Sequence, residues 1–389
     1  MSVLKKIFLS EAAGGVVLIV AAILAMVLAN ASWSAEGYQH FLHFTLSGDS
    51  SADAHPHNTL FWINDALMAL FFLLVGLEVK QELVSGALAT RQQAMFPLLA
   101  ALGGMIAPAI IFLLVSGHQP ELRNGWAIPT ATDIAFALGI LALLGNRVPP
   151  VLRVFLMALA VIDDLGAIVI IALFYSGQLS LLALAAMTVM VLILTLMNRA
   201  GVQKRSAWLL AGVVLWYAVL SSGIHATIAG VILGLMMPVK GQGEHSTAHR
   251  LAQSLAPWSR WLILPLFAFA NAGVVLDNLS LSDVISPLPL GIIAGLLIGK
   301  PLGISLICWL STKLGIARFP GQTGFADIAT IGVLCGIGFT MSIFIASLAF
   351  GQQQAELVNE AKLGILGGSI LSAFAGYVLL RLRYSSSST

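Results

Sequence analysis

Apolar runs about 20 residues long, the length needed to cross a bilayer, recur along this sequence, and one of them carries two adjacent carboxylates at its centre. Residues 154–175 are apolar except for Asp163, Asp164 and Gly166. At 1.5 Å per residue in a helix, the aspartates lie about 13 Å from either end, near the middle of a hydrocarbon core about 30 Å thick. This pattern predicts folding in lipid, with a special environment for the two carboxylates.

The overall composition also indicates a membrane protein. Of the 389 residues, 59% are hydrophobic and 9% are charged, whereas soluble domains carry about 25% charged residues. Because the formal net charge is only +2, no basic patch is large enough to predict a nucleic-acid partner. Cys308 and Cys335 lie in apolar runs without metal-ligand spacing, so we interpret them as packing residues, and no cofactor is predicted.

Apolar runs separated by Gly, Pro or charged residues predict twelve transmembrane spans. Numbered in chain order, the predicted spans are 11–31, 58–85, 95–116, 121–143, 150–175, 181–199, 205–219, 222–237, 257–276, 290–310, 327–350 and 357–382. The sequence therefore predicts an all-α polytopic membrane protein in which residues 1–389 form a single domain.

The distribution of positive charge predicts the orientation of these spans. Of the 19 Lys and Arg residues, 16 fall on one side of the membrane, Arg123 and Lys362 fall on the other side, and Lys300 lies inside a predicted span. Positive residues concentrate in cytoplasmic loops, so both termini are expected in the cytoplasm. The outer loop 32–57 has no Lys or Arg and is long enough for a β-hairpin, although it could equally be irregular, and 384–389 are expected to be disordered.

Two further ionisable groups share the depth of the aspartate pair. Asp133 and Lys300 each lie near the middle of their predicted spans. One central Asp or Lys costs roughly 2.5–3.5 kcal/mol on insertion scales, so four such groups need each other or water. A single structural ion pair, such as one Asp with Lys300, would leave at least two carboxylates unexplained. We therefore expect Asp163, Asp164, Asp133 and Lys300 to border one cavity.

Spans 4 and 11 are predicted to be broken at their centres. Span 4 carries WAIPTATDIAF, which includes Pro129, and span 11 carries LCGIGFTMSIF, which includes Gly336, Gly338 and Thr340. Proline removes a backbone hydrogen bond, and glycine lets the chain unwind. Unwound backbone at this depth is tolerated only where it lines a cavity. A kinked helix with close glycine packing is the alternative.

The broken spans occupy equivalent positions in two sets of three helices. The broken span is second in both sets, spans 3–5 and spans 10–12. The two sets begin on opposite sides of the membrane, which predicts inverted repeats whose interrupted helices meet at a transport site. At such a crossing Asp133 would offset the positive helix ends, and Lys300 would offset the negative ends.

Five motifs resemble those of the bacterial NhaA sodium/proton antiporters, and the resemblance runs along essentially the whole chain. These motifs are WAIPTATDIAFALG, FLMALAVIDDLGAI, LPLFAFANAG, GLLIGKPLGI and GIGFTMSIFIASLAFG. The resemblance implies twelve helices with inverted repeats and crossed, broken fourth and eleventh helices. It also implies electrogenic, alkaline-activated exchange of cytoplasmic Na⁺ or Li⁺ for external H⁺ in the bacterial inner membrane. The link between paired interrupted helices and a transport site was itself drawn in part from this family.

The resemblance also implies roles for individual residues at the crossing. Asp163 and Asp164 match the ion-binding pair of the family, and Thr132 matches a polar group beside them. Asp133 and Lys300 match its charge compensators.

Outside the crossing, the resemblance implies a dimer contact and a pH-responsive region. The loop 32–57 matches a segment that forms a β-hairpin and helps to make a homodimer. Glu78 and Glu82 match cytoplasmic groups that set the pH response, although they also fit a solvated helix end beside Lys80. His225 is either a pH-responsive group or a packed polar residue.

One stretch departs from the family pattern. Where acidic or His residues are expected beyond Arg250, the chain reads HRLAQSLAPW, and only His245 and His249 lie nearby. The resemblance therefore leaves it open whether this chain carries an intact pH-sensing cluster.

The chemistry of the central residues favours a transporter over an enzyme. Na⁺ prefers oxygen ligands, which Asp163, Asp164, Thr132 and water can supply, and protons would compete for the same carboxylates. A sodium-coupled organic solute symporter of similar fold is the main alternative. An intramembrane aspartyl protease would need a GxGD motif, which is absent, and a strong central site would slow conduction through a channel.

Overall fold

The computed structural model describes residues 11–45, 58–239, 246–276, 284–351 and 354–384. Numbered in chain order, its helices are α1 (Glu11–Asn30), α2 (Ala35–His43), α3 (Thr59–Ser85), α4 (Arg91–Ser116), α5 (Ile134–Leu143), α6 (Pro150–Phe174), α7 (Leu181–Arg199), α8 (Arg205–Leu220), α9 (Ile228–Met236), α10 (Thr247–Trp258), α11 (Leu264–Asn271), α12 (Pro287–Lys313), α13 (Phe325–Cys335), α14 (Phe339–Phe350) and α15 (Ala355–Arg383). The 3₁₀-helices are Pro120–Thr130 and Gly145–Arg147, and the π-helical turns are Trp62–Leu67, Ser259–Ile263 and Gly295–Gly299.

The predicted all-α membrane architecture is confirmed for the part of the chain that is described. There, seven helices are long and apolar enough to cross a membrane: α1, α3, α4, α6, α7, α12 and α15. Two bent pairs bring the count to nine if each is one span. Predicted spans 7 to 9 correspond to shorter elements, of which α8 has 16 residues and α9 has 9 residues. The count of twelve spans is therefore not established by helix length.

The two bent pairs fall where breaks were predicted. The 3₁₀-helix Pro120–Thr130 and α5 meet at 45°, and α13 and α14 meet at 53°. In the first break, Ala131 and Asp133 are extended, with ψ angles of 154° and 98°. The second break spans residues 336–338, between the end of α13 at Cys335 and the start of α14 at Phe339. The interruption of spans 4 and 11 is thus a change of helix direction and more than a mild kink.

The chain divides into two compact units. One unit comprises Met1–Val20, Ala87–Ala167 and Val274–Thr389, and it contains both bent pairs. The other comprises Ala21–Gly86 and Ile168–Gly273. We call them the broken-helix unit and the second unit.

Close backbone contact joins α4 and α12 in the broken-helix unit. A Cβ atom on Gly303 would collide with the carbonyl oxygen of Gly103, and one on Gly103 would collide with the backbone of Gly303. Small residues at such a contact let two membrane helices approach closely, which maximises van der Waals packing where no hydrophobic effect operates. The contact holds α12 in register within this unit.

A π-helical turn precedes Lys300 within α12. The Lys300 N–H donates to the carbonyl of Gly295, five residues earlier. The next residue, Pro301, has no N–H to continue the regular ladder. Single π-helical turns often occur at functional sites because they re-aim a side chain. The π-helical turn therefore lies directly before Lys300, where it changes the direction of the Lys300 side chain relative to a regular α-helix.

The start of α13 is tied to the end of α15. The Asp327 carboxylate accepts a hydrogen bond from the Gly324 N–H (2.8 Å), and its Oδ1 atom lies 2.5 Å from both Arg383 Nε and the Tyr384 hydroxyl. Two effects mainly raise the pKa of Tyr384 to about 12: the larger is burial, and the second is its hydrogen bond to Asp327. The hydroxyl therefore remains a donor at neutral pH. Tyr384 is the first residue of the predicted disordered tail, and 385–389 lie outside the described residues.

In the second unit, α3 packs against α9 around buried apolar side chains. This cluster includes Leu73, Leu77, Leu215 and Trp208. The outer loop 32–57 begins with the helix α2, and Thr45 and Asn58 then form a single antiparallel bridge. Residues 46–57 lie outside the described residues, so a hairpin there stays a prediction.

Candidate functional site

A lysine, an aspartate and a threonine form the centre of the candidate site. Lys300 Nζ donates hydrogen bonds to Asp163 Oδ2 (2.6 Å) and to Thr132 Oγ1 (2.5 Å). The Thr132 hydroxyl lies 2.8 Å from Asp163 Oδ2 and 3.0 Å from the Cys335 carbonyl. Because a hydroxyl has one proton, Thr132 donates to only one of these oxygens at a time. Asp163 from α6 and Lys300 from α12 therefore meet at both helix breaks.

Asp133 caps two half-helices at once. Its Oδ1 atom accepts a hydrogen bond from the Phe136 N–H at the start of α5 (3.0 Å). Its Oδ2 atom accepts from the N–H and the hydroxyl of Thr340 at the start of α14 (3.0 and 2.6 Å). A carboxylate is favoured at a helix N-terminus because free N–H groups and the helix dipole point toward it. The backbone N–H of Asp133 also donates to the Ile337 carbonyl (2.6 Å).

Two serines add further contacts at the breaks. The Ser342 hydroxyl donates to the Ile128 carbonyl (2.7 Å), which joins α14 to the 3₁₀-helix of the first pair. The Ser369 hydroxyl of α15 accepts hydrogen bonds from the N–H groups of Gly338 and Phe339 (3.2 and 3.1 Å). Sequence reasoning missed Ser369, because a serine in an apolar helix is common and nothing local indicates what it faces.

The central charged groups are buried. Asp133, Asp163, Asp164 and Lys300 are each at most 5% exposed, and Lys300 is fully buried. Asp163 Oδ1 has no hydrogen-bond partner in the described part of the chain, while its Oδ2 atom contacts Lys300. Asp164 is the next residue on α6, about 100° further around the helix. The structure thus brings Asp163, Thr132 and Lys300 into direct contact and leaves Asp163 Oδ1 without a hydrogen-bond partner among the described residues.

Glu78 and Glu82 lie near the end of α3 in the second unit. Glu78 is exposed, and Glu82 is half-buried. Lys80, between them, donates to the carbonyls of Leu235 and Met237 (2.6 Å each) at the end of α9. Lys80 therefore stabilises the C-terminus of α9. The interpretation of this region as a solvated helix end did not include that role.

The stretch that departs from the family pattern forms a small polar cluster in the second unit. His249 Nδ1 lies 3.2 Å from Gln81 Oε1, and His249 Nε2 lies 2.9 Å from the Gln253 side-chain nitrogen. His245 lies outside the described residues.

His225 contacts an acidic residue that sequence reasoning did not single out. Its Nδ1 atom lies 2.9 Å from the Thr227 hydroxyl, and its Nε2 atom lies 3.6 Å from Asp65 Oδ1. Next to Asp65, the side chains of Asn64 and Asn271 exchange two amide hydrogen bonds (3.1 and 2.7 Å). The sequence signal was present, since Asn64 and Asp65 interrupt an apolar run.

Two broken helices that enclose buried charges, within a bundle of membrane-crossing helices, define a membrane transporter. A sequence model of the family described as Na⁺/H⁺ antiporter 1 matches residues 5–380. The chain therefore belongs to the Na⁺/H⁺ antiporter 1 family, as its motifs predicted.

Curated relatives agree with this assignment. The chain is 57% identical over 383 residues to the Na⁺/H⁺ antiporter NhaA of Shigella dysenteriae, and the match covers 98% of this chain and 99% of that protein. It is 57% identical over 385 residues to the Na⁺/H⁺ antiporter NhaA of Citrobacter koseri, with 99% of each chain covered.

Proposed function

We propose that this protein is an electrogenic, pH-regulated antiporter that exchanges cytoplasmic Na⁺ or Li⁺ for external H⁺ by alternating access. The observation that carries the proposal is the buried contact of Asp163 with Lys300 at the junction of two broken helices. The names of its relatives supply the two ions.

The donor set suits a cation that must bind and leave. Na⁺ and Li⁺ are hard cations that prefer oxygen ligands. Asp163 Oδ1, the Asp164 carboxylate and the Thr132 hydroxyl supply such oxygens, and water completes the shell. A cation arriving at Asp163 competes with Lys300 for the same carboxylate, so the pair loosens when the cation binds. Protonation of the carboxylates lowers their affinity for a cation, because it removes the negative charge that attracts the cation. Na⁺ and H⁺ are therefore alternative ligands of one site.

Exchange is electrogenic if more protons than sodium ions move in each cycle, because net charge then crosses the membrane. Asp163, Asp164 and Lys300 provide more than one exchangeable proton for a single cation site. If only the Na⁺-loaded or the proton-loaded carrier changes its accessible side, the two ion gradients are coupled without another energy source.

We extend the proposal to the membrane topology. In this topology, twelve spans form inverted repeats with crossed broken helices in the inner membrane of a bacterium. The even number of spans puts both termini on the same side, and the loop charges favour the cytoplasm. The double capping of α5 and α14 by Asp133 supports the crossing. The short helices α8 and α9 would then be spans completed by the residues that flank them.

The pH response and the dimer contact are further parts of the proposal. We assign the pH response to Glu78, Glu82 and His225, and the contact of His225 with Asp65 supports a titratable role. We assign homodimer formation to the loop 32–57, whose second part, 46–57, is flanked by the bridge between Thr45 and Asn58.

The test is transport by purified protein in liposomes that contain a pH dye and no organic solute. Added Na⁺ should produce an immediate pH change, because no other substrate is needed. Asp163→Asn and Asp164→Asn should each abolish it, since an amide neither titrates nor carries a full charge. Glu121→Gln is the matched control, because Glu121 is exposed at the start of its 3₁₀-helix.

Two results would contradict the proposal. A Na⁺-dependent signal that appears only with an organic solute would indicate the symporter. Full activity of Asp164→Asn would exclude the assigned site.

A further inference from the structure

One serine outside the cation site holds the start of a half-helix. Ser369 is 4% exposed and lies on α15. Its hydroxyl oxygen accepts hydrogen bonds from the consecutive backbone N–H groups of Gly338 and Phe339, at 3.2 and 3.1 Å. These groups precede and begin α14, the second half of the broken pair. A side chain from another helix therefore does the work that an N-cap residue usually does, because Gly338 has no side chain to cap with.

The next N–H group along the chain binds a different partner. Thr340 donates its backbone N–H and its hydroxyl to Asp133. Three successive N–H groups at the start of α14 are thus shared between one neutral hydroxyl and one carboxylate. Without Ser369, two buried N–H groups would lose their acceptor. The Asp133 carboxylate, which already accepts from Thr340, is the anionic acceptor bound at the same helix end.

Asp133 connects this cap to the cation site. Its neighbour Thr132 contacts Asp163 and accepts a hydrogen bond from Lys300. A shift of the α14 N-terminus would move Thr340, the partner of Asp133. The Asp133 carboxylate would then change its hydrogen-bond partners, and its negative charge at the crossing would be less available to the other helix end. An uncapped helix N-terminus is also a positive end, which disfavours a cation nearby.

We propose that Ser369 is a positioning residue for cation binding, which holds the N-terminus of α14 so that Thr340 stays on Asp133. The proposal rests on the Na⁺/H⁺ exchange proposed above. Ser369 touches neither the cation nor the reacting protons. It acts through the helix end, so its loss changes the apparent affinity for Na⁺ more than the maximal rate.

The chain offers a matched control on the same helix. Ser372 lies one turn further along α15, is fully buried, and its hydroxyl has no hydrogen-bond partner in the described part of the chain. Ser369→Ala and Ser372→Ala remove the same atom from two buried sites. Only the first removes an acceptor from α14.

The experiment compares wild type, Ser369→Ala, Ser369→Thr and Ser372→Ala in the liposome assay and by hydrogen exchange. Ser369→Ala should raise the KM for Na⁺ on the order of tenfold, the effect expected when buried donors lose their partner. Its maximal rate should change less than its KM. Backbone exchange in the peptide around Gly338 and Phe339 should become faster. Ser369→Thr keeps the hydroxyl and should restore both readouts, and Ser372→Ala should match wild type.

Each outcome has a distinct meaning. Equal KM values for Ser369→Ala and Ser372→Ala, with normal wild-type exchange of Na⁺ for H⁺, would overturn the positioning role alone. So would a fall in maximal rate at unchanged KM, or unchanged hydrogen exchange around Gly338 in Ser369→Ala. Absence of Na⁺-dependent proton movement in wild type would overturn the proposed function, and the role of Ser369 with it.

Discussion

At the scale of single residues, the Lys300–Asp163 contact joins two opposite charges that are both fully buried. Both side chains are removed from solvent, which is costly for each charge. Their mutual attraction and the hydrogen bond from Lys300 to Thr132 offset that cost. A pair of this kind contributes little net stability by itself, but removal of one partner leaves the other charge buried and alone.

Lys300→Ala should therefore destabilise the protein by about 3–5 kcal/mol and lower transport. Lys300→Arg should keep most of the stability, because it keeps the positive charge, although arginine cannot release a proton. Thermal unfolding in detergent measures the first effect and the liposome assay the second. Lys313→Ala is the control, since Lys313 is exposed at the end of the same helix.

The double substitution Asp163→Asn with Lys300→Gln should be more stable than either single charge-removing variant, because no isolated charge remains. If Lys300→Ala unfolds at the wild-type temperature, the buried pair does not carry the proposed energy. If Lys300→Arg is fully stable but transports without net charge movement, Lys300 is itself a proton carrier.

At the scale of the elements, the broken helices depend on how their neighbours are held. Asp133 and Ser369 accept hydrogen bonds from N–H groups at the starts of α5 and α14 that have no partner within their own helix. The glycine contact between α4 and α12 fixes the helix that carries Lys300. Packing between whole helices thus decides where the charged side chains of the site lie.

Gly303→Ala should reduce both stability and transport, because its new methyl group would meet the immobile Gly103 backbone. Overpacking of this kind costs roughly 1–3 kcal/mol. Gly367→Ala is the control: its methyl group would lie 3.4 Å from Ile293 Cδ1, an ordinary contact with a mobile side chain. The unfolding temperature and the transport rate should both be lower for Gly303→Ala than for Gly367→Ala. Equal values for the two variants would show that the α4–α12 contact can accommodate an additional methyl group.

At the scale of the whole molecule, the division into two units reflects which residues contact each other in space and not their order along the chain. The broken-helix unit is assembled from three separate parts of the chain and the second unit from two, so neither can be cut out as a continuous segment. The positive charges of the loops predict which side of the membrane each loop faces.

The orientation can be measured with cysteine labelling, because both native cysteines are buried. Ser387→Cys in intact cells should resist a membrane-impermeant thiol reagent, since the C-terminus is expected in the cytoplasm. Arg123→Cys should react, because Arg123 is exposed and is expected on the outer side. The reverse labelling pattern would invert the topology.

Much of this protein was determined by its sequence alone. Apolar runs of bilayer length dictate helices, because backbone polar groups in lipid must be satisfied within the segment. The depth of Asp133, Asp163 and Lys300 follows from counting residues along those runs, and the positions of Pro129 and Gly338 predicted both helix breaks. Local chemistry suffices for such features, and the long motifs sufficed to identify the family.

Only the tertiary structure decided which groups touch. The contact of Asp163 with Lys300, the capping of two half-helices by Asp133 and the acceptance of two N–H groups by Ser369 join residues far apart in the chain. No local pattern distinguishes Ser369 from Ser372, one turn away on the same helix. The difference arises because helix packing brings a free helix end to one hydroxyl and leaves the other without a partner in the described part of the chain.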